Sequence, residues 1–493
     1  MAAESNLYQP DWLKKPEDPA LLDPKIWPKN FSRDQKTGQL CVDGQPVSQL
    51  VQDFKTPQYV LSQTAFKTRA QEFKEAFEEA FARYGAQVSV YYAGKAFLCT
   101  ALARWVGQQG LKLDTASGGE LAIAIRAGLA GQDIALHGNN KSAAEIRRAL
   151  EYGVGRIVAD SVAEIKLIAH VAADMGKVAP VLLRLTPGVH AATHSYIATA
   201  HEDQKFGQSL LPGSASLAGL SPEELTRLKL TSQDCYATVA LALALESPHI
   251  DLRGMHCHIG SQIFQAQGFA QAAQTVLTYM QEVNQRFGLS LPEIDLGGGY
   301  GIAYIPGQEP RSPSQIAQEL AAAVAQTCSK LNMAIPHLSF EPGRAISGPA
   351  GLTLYTVGTI KDVSVQDQNQ QVRIRRYVSV DGGMSDNARP VLYEADYTAV
   401  LANRQPSADQ LLCRVVGKHC ESGDIVVRYV YLPRDLQAGD ILAVPATGAY
   451  CFSLSSNYNY LTRPPVVATA TGQKAQLIVR AETEEDMLAR DLG

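Results

Sequence analysis

The chain has 493 residues, of which 46% are hydrophobic and 19% are charged, and its formal net charge is −5. This length and hydrophobic content predict a soluble globular protein that is large enough for two domains. No apolar run reaches the roughly 18 residues that a membrane-spanning helix needs, and no basic face suggests nucleic acid, so we expect a small-molecule partner.

The cysteines and the first residues bear on the cellular compartment. Eight cysteines are scattered along the chain without a Cys-x-x-Cys pair, far below the density of a disulfide scaffold. Residues 1–6 show neither the basic and apolar pattern of a secretion signal nor an Arg-rich transit pattern. We therefore expect a reducing, cytoplasmic location.

Residues 1–65 are predicted to form an N-terminal arm that lies over the body of the protein. The segment is polar and rich in proline, and Trp12 and Trp27 are its isolated candidates for anchors. For residues 1–20, disorder is an equal alternative.

Strand and helix patterns alternate from about Phe66 to Arg344. Apolar strands are predicted at Val88–Tyr92, Ile134–His137, Ile157–Asp160, Val181–Leu185, Leu252–His258, Glu293–Leu296 and His337–Phe340. Repeated strand-then-helix units predict a parallel sheet, and their number favours a closed (β/α)8 barrel over residues 66–345. An open doubly wound sheet is the alternative.

Chemically useful residues follow three of these strands. Lys95 comes just after the first strand, at the end where α/β barrels have their catalytic residues. A lysine at such a position is usually only a solvated side chain. Gly297–Gly299 offer bare backbone amides that suit a phosphate, or simply a tight turn. Glu341 and Arg344 add a carboxylate and a guanidinium at a third strand end.

Two histidines share one face of a predicted strand. His256 and His258 are two residues apart, so their side chains point the same way. A zinc pair and two structural histidines are both open alternatives. A catalytic metal would need further ligands, and none cluster with suitable spacing, so no metal is expected.

After Arg344 the sequence pattern changes to runs of β-branched residues without a helical period. Strands are predicted at Thr353–Thr359, Val372–Val380, Leu411–Val416, Ile425–Leu432 and Ile441–Val444, with the polar stretch Gln366–Gln371 as a hairpin loop. Residues 346–493 are therefore expected to form a mostly antiparallel β domain.

In their order, the motifs resemble those of the pyridoxal-phosphate-dependent decarboxylases of the alanine-racemase-like barrel type. The resemblance spans nearly the whole chain and rests on Tyr92–Ala96, Ser117–Leu121, His137–Lys141, His256–Gln262, Gly297–Gly299, Glu341–Arg344, Asp381–Asn387, Arg389–Tyr393, Cys420–Asp424 and Gly448–Tyr450. It implies a (β/α)8 barrel that binds pyridoxal 5'-phosphate (PLP), followed by the β domain. It also implies an earlier strand that pairs with the β domain, for which Leu40–Gly44 is the candidate.

The resemblance assigns the cofactor site. Lys95 would form a Schiff base with PLP, and Glu341 would face the ring nitrogen. A racemase of this barrel type has arginine at the position of Glu341, so the glutamate favours decarboxylation. The implied cofactor-binding residues are Lys95, His258, Ser261, Gly299, Glu341, Pro342, Gly343, Arg344 and Tyr450.

A thiol from the β domain completes the implied catalytic set. Cys420 would reach the active site of the partner subunit and protonate the substrate carbon after CO2 leaves. A free cysteine is otherwise most often a small buried hydrophobe, but Glu421 and Asp424 indicate an exposed loop. The resemblance thus implies a homodimer with composite active sites.

The implied substrate is meso-2,6-diaminopimelate, which would be decarboxylated to L-lysine and CO2 in the last step of lysine biosynthesis. Its far end carries a carboxylate and an ammonium, for which the resemblance assigns Arg344, Arg389, Tyr393, Glu421 and Tyr450. Ornithine-type relatives lack the arginine at position 389, although a structural ion pair is the plain alternative for that residue.

Other activities stay open on the same scaffold. One is decarboxylation of another basic amino acid or of a carboxylated polyamine. Another is an inactive PLP-binding regulator, which the presence of both Lys95 and Cys420 disfavours.

Overall fold

The structure is a computed structural model that describes residues 8–188 and 203–493. Within these residues the chain forms two compact units. The barrel unit comprises residues 70–301 and 311–343, and the β unit comprises residues up to 69, 302–310 and 344–493. Residues 1–7 of the expected arm lie outside the described residues, and the domain boundaries near residues 65 and 345 remain a prediction.

The barrel unit is built on eight parallel strands. They are Val88–Ala93, Lys112–Thr115, Ile134–Leu136, Arg156–Ala159, Ala179–Thr186, Ile250–Cys257, Glu293–Asp295 and His337–Phe340. The first strand pairs with both the second and the last, and each other strand pairs with its neighbours, so the sheet closes. This ring confirms the predicted barrel over the open sheet, with the two-residue strand Gln208–Ser209 beside the fifth strand.

Burial explains why these short segments become barrel strands. All residues of Ile134–Leu136 and Glu293–Asp295 are buried, as expected where helices cover one face of a sheet and barrel side chains fill the other. At the start of one strand Glu293 accepts a hydrogen bond of 2.6 Å from Arg156. The opposite, carboxyl ends of the strands carry the candidate catalytic groups.

Along the described residues, helices alternate with the barrel strands, and further helices precede and follow them in the β unit. The helices are Val47–Phe54, Gln63–Ala82, Thr100–Gln108, Gly118–Ala127, Ala143–Tyr152, Val162–Asp174, Pro222–Arg227, Tyr236–Glu246, Ala266–Phe287, Pro313–Lys330, Arg344–Ala350, Arg389–Tyr393 and Glu484–Leu488. None of those helices combines the length and the hydropathy that a bilayer crossing requires.

The β unit contains a large mixed sheet in which most neighbours are antiparallel. Its strands are, in spatial order, Ile425–Pro433, Gln410–Val416, Val372–Val380, Gly351–Gln366, Gln58–Ser62, Val466–Ala470 and Gln473–Val479, with Ile441–Pro445 and Val400–Leu401 to one side. The predicted β domain is confirmed. Gln366 pairs with Val372, which confirms the hairpin loop between them.

The N-terminal strand of this sheet was predicted at the wrong place. Leu40–Val42 pairs instead with Phe31–Arg33 and Gln45–Pro46 in a separate three-stranded sheet. The physical reason is the Asp43-Gly44 turn, in which both residues have positive φ (54° and 81°) and reverse the chain at once. The strand that joins the large sheet is Gln58–Ser62, which pairs with residues 351–354.

Candidate active site

The predicted catalytic groups of the barrel unit lie at the carboxyl ends of its strands. Lys95 lies in the short turn Gly94–Ala96, directly after Val88–Ala93. Gly343 makes this turn possible, because a Cβ there would lie 2.8 Å from Cβ of Ala93. The barrel thus fixes the backbone on which the lysine stands.

Glu341 is the centre of a buried polar cluster. Its Oε1 lies 3.2 Å from Nε2 of His256 and 3.4 Å from Nε2 of His137, whose nitrogen is also 3.4 Å from Oδ1 of Asp114. The two imidazole rings meet edge to face at 5.1 Å. One oxygen of Glu341 is therefore surrounded by histidines.

The negative charge of this cluster is concentrated on Glu341. Burial would raise the pKa of Glu341, but His137, His256 and Lys95 together hold that pKa well below its ordinary value. Burial, with the charge of Glu341, raises the pKa of Asp114 and of Asp295 well above the usual range. Glu341 is thus the carboxylate that stays ionised, whereas Asp114 and Asp295 hold their protons more strongly.

His258 presents a neutral ring beside this cluster. Burial, followed by the charge of Lys95, lowers the pKa of His258 well below its ordinary value. Nδ1 accepts a hydrogen bond of 3.1 Å from the backbone N–H of Gly298, so the ring is oriented by the glycine run. This contact makes His258 a fixed, uncharged aromatic surface.

The triple glycine is packed between strand ends. A Cβ on Gly297 would lie 2.5 Å from the carbonyl oxygen of Cys257, and a Cβ on Gly299 would overlap the carbonyl of Gly260, next to Ser261. The N–H of Gly297 donates to Asp295 at 2.8 Å. Close backbone approach therefore requires glycine here.

The metal alternative concerns a different histidine pair from the one that the sequence suggested. Among the described residues, only His137, His256 and Glu341 form a group with three ligand atoms within 4.8 Å of one another. His258 does not belong to that group. A zinc pair made by His256 and His258 therefore lacks its third ligand in the part of the chain that the structure describes.

The β unit holds two buried arginines among tyrosines. The guanidinium of Arg344 donates a hydrogen bond of 2.5 Å to the hydroxyl of Tyr304 and lies 4.5 Å from the ring centre of Tyr450. Arg389 is only 5% exposed, donates to the hydroxyl of Tyr397 at 2.7 Å and lies 4.7 Å from the ring centre of Tyr304. Both cations are thus held on aromatic faces.

Arg389 has no ion-pair partner among the residues that the structure describes. Burial lowers its pKa, but Tyr304, Tyr397 and Cys451 outweigh burial, and the net pKa is raised, so the side chain is always charged. A buried charge without an ion-pair partner is costly, and an anionic ligand would offset part of that cost. The structural ion pair considered for Arg389 is therefore absent within the described residues.

The loop between Gln410–Val416 and Ile425–Pro433 carries Cys420. This cysteine is the exposed one of eight free cysteines, and the other seven are buried. Glu421 is exposed as well, and Tyr393, on the short helix Arg389–Tyr393, is half-buried. Asp424 is buried, however, so the inference of exposure from that residue was wrong.

Asp424 is buried because it anchors the loop. Its Oδ2 accepts hydrogen bonds from the backbone N–H of His419 at 2.8 Å and from Nδ1 of the same residue at 2.9 Å. Its Oδ1 accepts one of 2.6 Å from the N–H of Met384. These donors replace the water that the carboxylate gives up.

Asp386, in the same unit, makes stability depend on pH. Burial, opposed by hydrogen bonds from Tyr355 and Gly383, raises its pKa to about 7 from 3.8. Between about pH 4 and about pH 7 the folded protein holds a proton on Asp386 that the unfolded chain has lost. The free energy of unfolding therefore falls as pH rises from about 4 to about 7.

We expect Asp386→Asn to remove this slope, because the amide imitates the protonated acid. The free energy of unfolding of the variant, relative to the parent, should rise by at most about 4 kcal/mol between pH 4 and pH 8. Urea unfolding across that range measures it. Parallel pH profiles for the two proteins would contradict the assignment.

Several site residues escaped the sequence reasoning. His137 stood in a quoted motif without a role, and its position directly after the strand Ile134–Leu136 was the available signal. Tyr304 and Tyr397, which hold Arg389, carried no such signal because they are distant in sequence and meet only in the fold.

Known proteins share both the sequence and the fold of the chain. The family model described as "Pyridoxal-dependent decarboxylase, pyridoxal binding domain" matches residues 65–235 and 230–348. The chain is 44% identical to a diaminopimelate decarboxylase of Mycobacterium tuberculosis over 96% of this chain and 98% of that protein. It is 40% identical to the enzyme of that name from Bacillus subtilis, over 94% and 97% of the two chains.

Solved structures extend the likeness to three dimensions. The diaminopimelate decarboxylase of M. jannaschii in complex with L-lysine matches with a TM-score of 0.79 and 30% identity, over 94% of this chain and 98% of that one. A lysine/ornithine decarboxylase of Vibrio vulnificus with putrescine matches with a TM-score of 0.65 and 21% identity, over 86% and 97%. The second match, at that identity, bears on the fold alone.

Proposed function

The chain belongs to the pyridoxal-dependent decarboxylase family, and from this premise we propose that it converts meso-2,6-diaminopimelate to L-lysine and CO2. Support comes from relatives of that activity that are 40% to 44% identical over at least 94% of this chain. The reaction would be the last step of lysine biosynthesis.

The observation that carries the substrate choice is the buried guanidinium of Arg389, which pairs with no carboxylate among the described residues. Diaminopimelate differs from lysine and ornithine in having a carboxylate at its far end. A fixed cation that is desolvated and unpaired suits that group, through a charge-assisted hydrogen bond. We assign to Arg344, Tyr393, Glu421 and Tyr450 further contacts with the substrate.

The residues at the barrel strand ends suit PLP. Bound PLP supplies an aldehyde that condenses with a primary amine and an electron-poor ring that accepts the electron pair left when CO2 departs. Buried polar atoms of Asp114, His137 and His256 lack hydrogen-bond partners within the described residues, as expected where a polar ligand enters.

Each part of the cofactor has a proposed partner. Lys95 would supply the amine that holds the aldehyde. His256 and His137 both contact Oε1 of Glu341, and the other carboxylate oxygen would face the ring nitrogen. His258 would stack on the ring. Gly299 and Ser261 at one strand end, with Pro342, Gly343, Arg344 and Tyr450, would complete the cofactor contacts.

Glu341 would promote decarboxylation because it is ionised. Its lowered pKa allows it to keep a proton on the ring nitrogen, which makes the ring a stronger electron acceptor. His256 and His137 stabilise that charge. Cys420 would then donate the proton that replaces the lost carboxylate on the substrate Cα.

We propose that the active protein is a homodimer in which each site receives Cys420 from the partner subunit. The Cys420 loop is flanked by large apolar side chains that remain exposed: Val391, Leu392, Tyr458 and Tyr460. Such a patch beside a catalytic thiol suits docking of a second copy of the chain.

A cytoplasmic location is also part of the proposal. All eight cysteines lie in the described part of the chain and all are free, which suits a reducing compartment.

Release of CO2 from diaminopimelate, lysine, ornithine and arginine, measured side by side, tests the function. Diaminopimelate should be the preferred substrate by kcat/KM. A preference for lysine or ornithine would instead assign the chain to another basic amino acid, and no release from any substrate would favour a regulatory relative.

Arg389→Ala should lower kcat/KM for diaminopimelate by about ten- to a hundredfold, because charge-assisted hydrogen bonds contribute roughly 1.5 to 3 kcal/mol. A basic amino acid without the far carboxylate should be nearly indifferent. Steady-state kinetics on both substrates measure the difference.

Arg414→Ala is the matched control, because that guanidinium also lies over tyrosines of the β unit, Tyr377 and Tyr429. The Arg414→Ala variant should leave kcat/KM unchanged for both substrates. An equal loss on both substrates in Arg389→Ala would show that Arg389 supports the fold or the cofactor, and the specificity argument would fail.

A further inference from the structure

His419 and Asp424 form a closed contact directly beside the catalytic thiol. The ring of His419 is fully buried, donates from Nδ1 to Asp424 at 2.9 Å and stacks on Tyr458 at 5.7 Å with an angle of 6° between the planes. Next to it, the backbone N–H of Cys420 donates to Oδ1 of Asn459 at 3.0 Å. The thiol-bearing residue is therefore held through its own backbone N–H and through the residue before it, while its own side chain is exposed.

Asp424 joins the Cys420 loop to a second segment of the chain. It accepts from His419 within the loop and from Met384 in the segment 381–387, and its own carbonyl accepts from the N–H of Gly417, which closes the loop. A Cβ on Gly383 would lie 2.5 Å from Oδ1 of Asp424, and a Cβ on Gly417 would overlap Oδ2 of the same carboxylate. The carboxylate thus fills a space that two glycines leave for it.

From this geometry, and resting on the proposed role of Cys420, we propose that His419 and Asp424 are positioning residues for the Cys420 thiol. Asp424 fixes the loop to the sheet, and His419 transmits that anchor to the residue that bears the thiol. Neither needs to touch the substrate. Their removal should misplace the thiol rather than unfold the unit.

His419→Phe is a clean probe of this pair. The phenyl ring can keep the stack on Tyr458, and the buried Nε2 of His419 has no hydrogen-bond partner among the described residues. The contact that the variant loses is therefore the one from Nδ1 to Asp424. Asp424→Asn is the more severe variant, because its amide NH2 would face a backbone N–H.

Cys420 allows a measurement that does not depend on turnover, since it is the one exposed thiol of the single chain and, in the proposed dimer, faces the site that the substrate enters. We would follow alkylation of the holoenzyme by iodoacetamide, with kcat, KM and the thermal midpoint of the same preparations. In His419→Phe, alkylation should accelerate by about threefold as the loop opens locally. Because the thiol is misplaced, kcat should fall by about ten- to a hundredfold with little change in KM.

Ser422→Ala is the matched control, because this side chain is exposed and its hydroxyl donates to Glu421 in the same loop. It should match the parent in all readouts. An unchanged or slower alkylation rate in both His419→Phe and Asp424→Asn, with a normal thermal midpoint in His419→Phe, would overturn the proposal. Faster alkylation with unchanged kcat would leave the positioning role standing and show that Cys420 is not the proton donor.

Discussion

Lys95→Ala should abolish turnover and remove the visible absorption band that the cofactor shows when bound through this lysine. In the proposed mechanism the side chain would supply the amine that holds the aldehyde and gives way to the substrate amine, and no solvent group would replace both functions. We expect kcat to fall by at least about a thousandfold. Absorption spectra and CO2 release on the same preparation measure both effects.

Lys112→Ala is the matched control for this change. Lys112 begins the neighbouring barrel strand, at the end opposite to the catalytic groups, and its Nζ lies 5.6 Å from the ring centre of Tyr91. The control should keep the band and the activity. An unchanged absorption band in Lys95→Ala would show that the cofactor is linked to another lysine, and the assignment of Lys95 would be refuted.

Cys420→Ala should also be nearly inactive, by about a hundred- to ten-thousandfold, because a positioned general acid contributes that much. Mixed with inactive Lys95→Ala subunits, however, it should regain activity at roughly a quarter of all sites. Random exchange makes half of the dimers mixed, and each mixed dimer contains one site with both native residues. Activity after mixing, against each variant exchanged with itself, measures the gain.

Subunit exchange must be shown independently, for example by native mass spectrometry of differently tagged subunits. Exchange without recovery would show that Lys95 and Cys420 act within one chain. A monomeric active protein would reject the dimer as well.

The barrel could be predicted from sequence because buried parallel strands are read from short continuous apolar runs. The strand Val372–Val380 begins and ends where it was predicted, the strand His337–Phe340 begins where it was predicted, and the strand before Lys95 differs by one residue. The positions of Lys95 and Glu341 could be predicted as well, because the carboxyl ends of parallel barrel strands lie at one end of the barrel.

What could not be predicted depends on contacts between distant segments. Asp424 resembles a solvated loop residue in sequence, and it is buried because Met384, forty positions away, donates to it. Similarly, the aromatic surroundings of Arg389 come from Tyr304 and Tyr397, which only tertiary packing brings together. The strand predicted at Leu40–Gly44 failed for a local reason, since the turn at Asp43 and Gly44 was not recognised.

The space around the Asp424 carboxylate also constrains how this chain can diverge. Gly383 and Gly417 are far from each other in sequence, yet the same two oxygen atoms forbid a side chain at both. A side chain at either glycine displaces the carboxylate, and its Cβ would also lie 2.6 Å from Nδ1 of His419 at position 383 or 2.5 Å from Cα of Gly383 at position 417. Loss of the carboxylate alone therefore frees neither glycine, and a redesign of the loop must change Gly383, Gly417, His419 and Asp424 together.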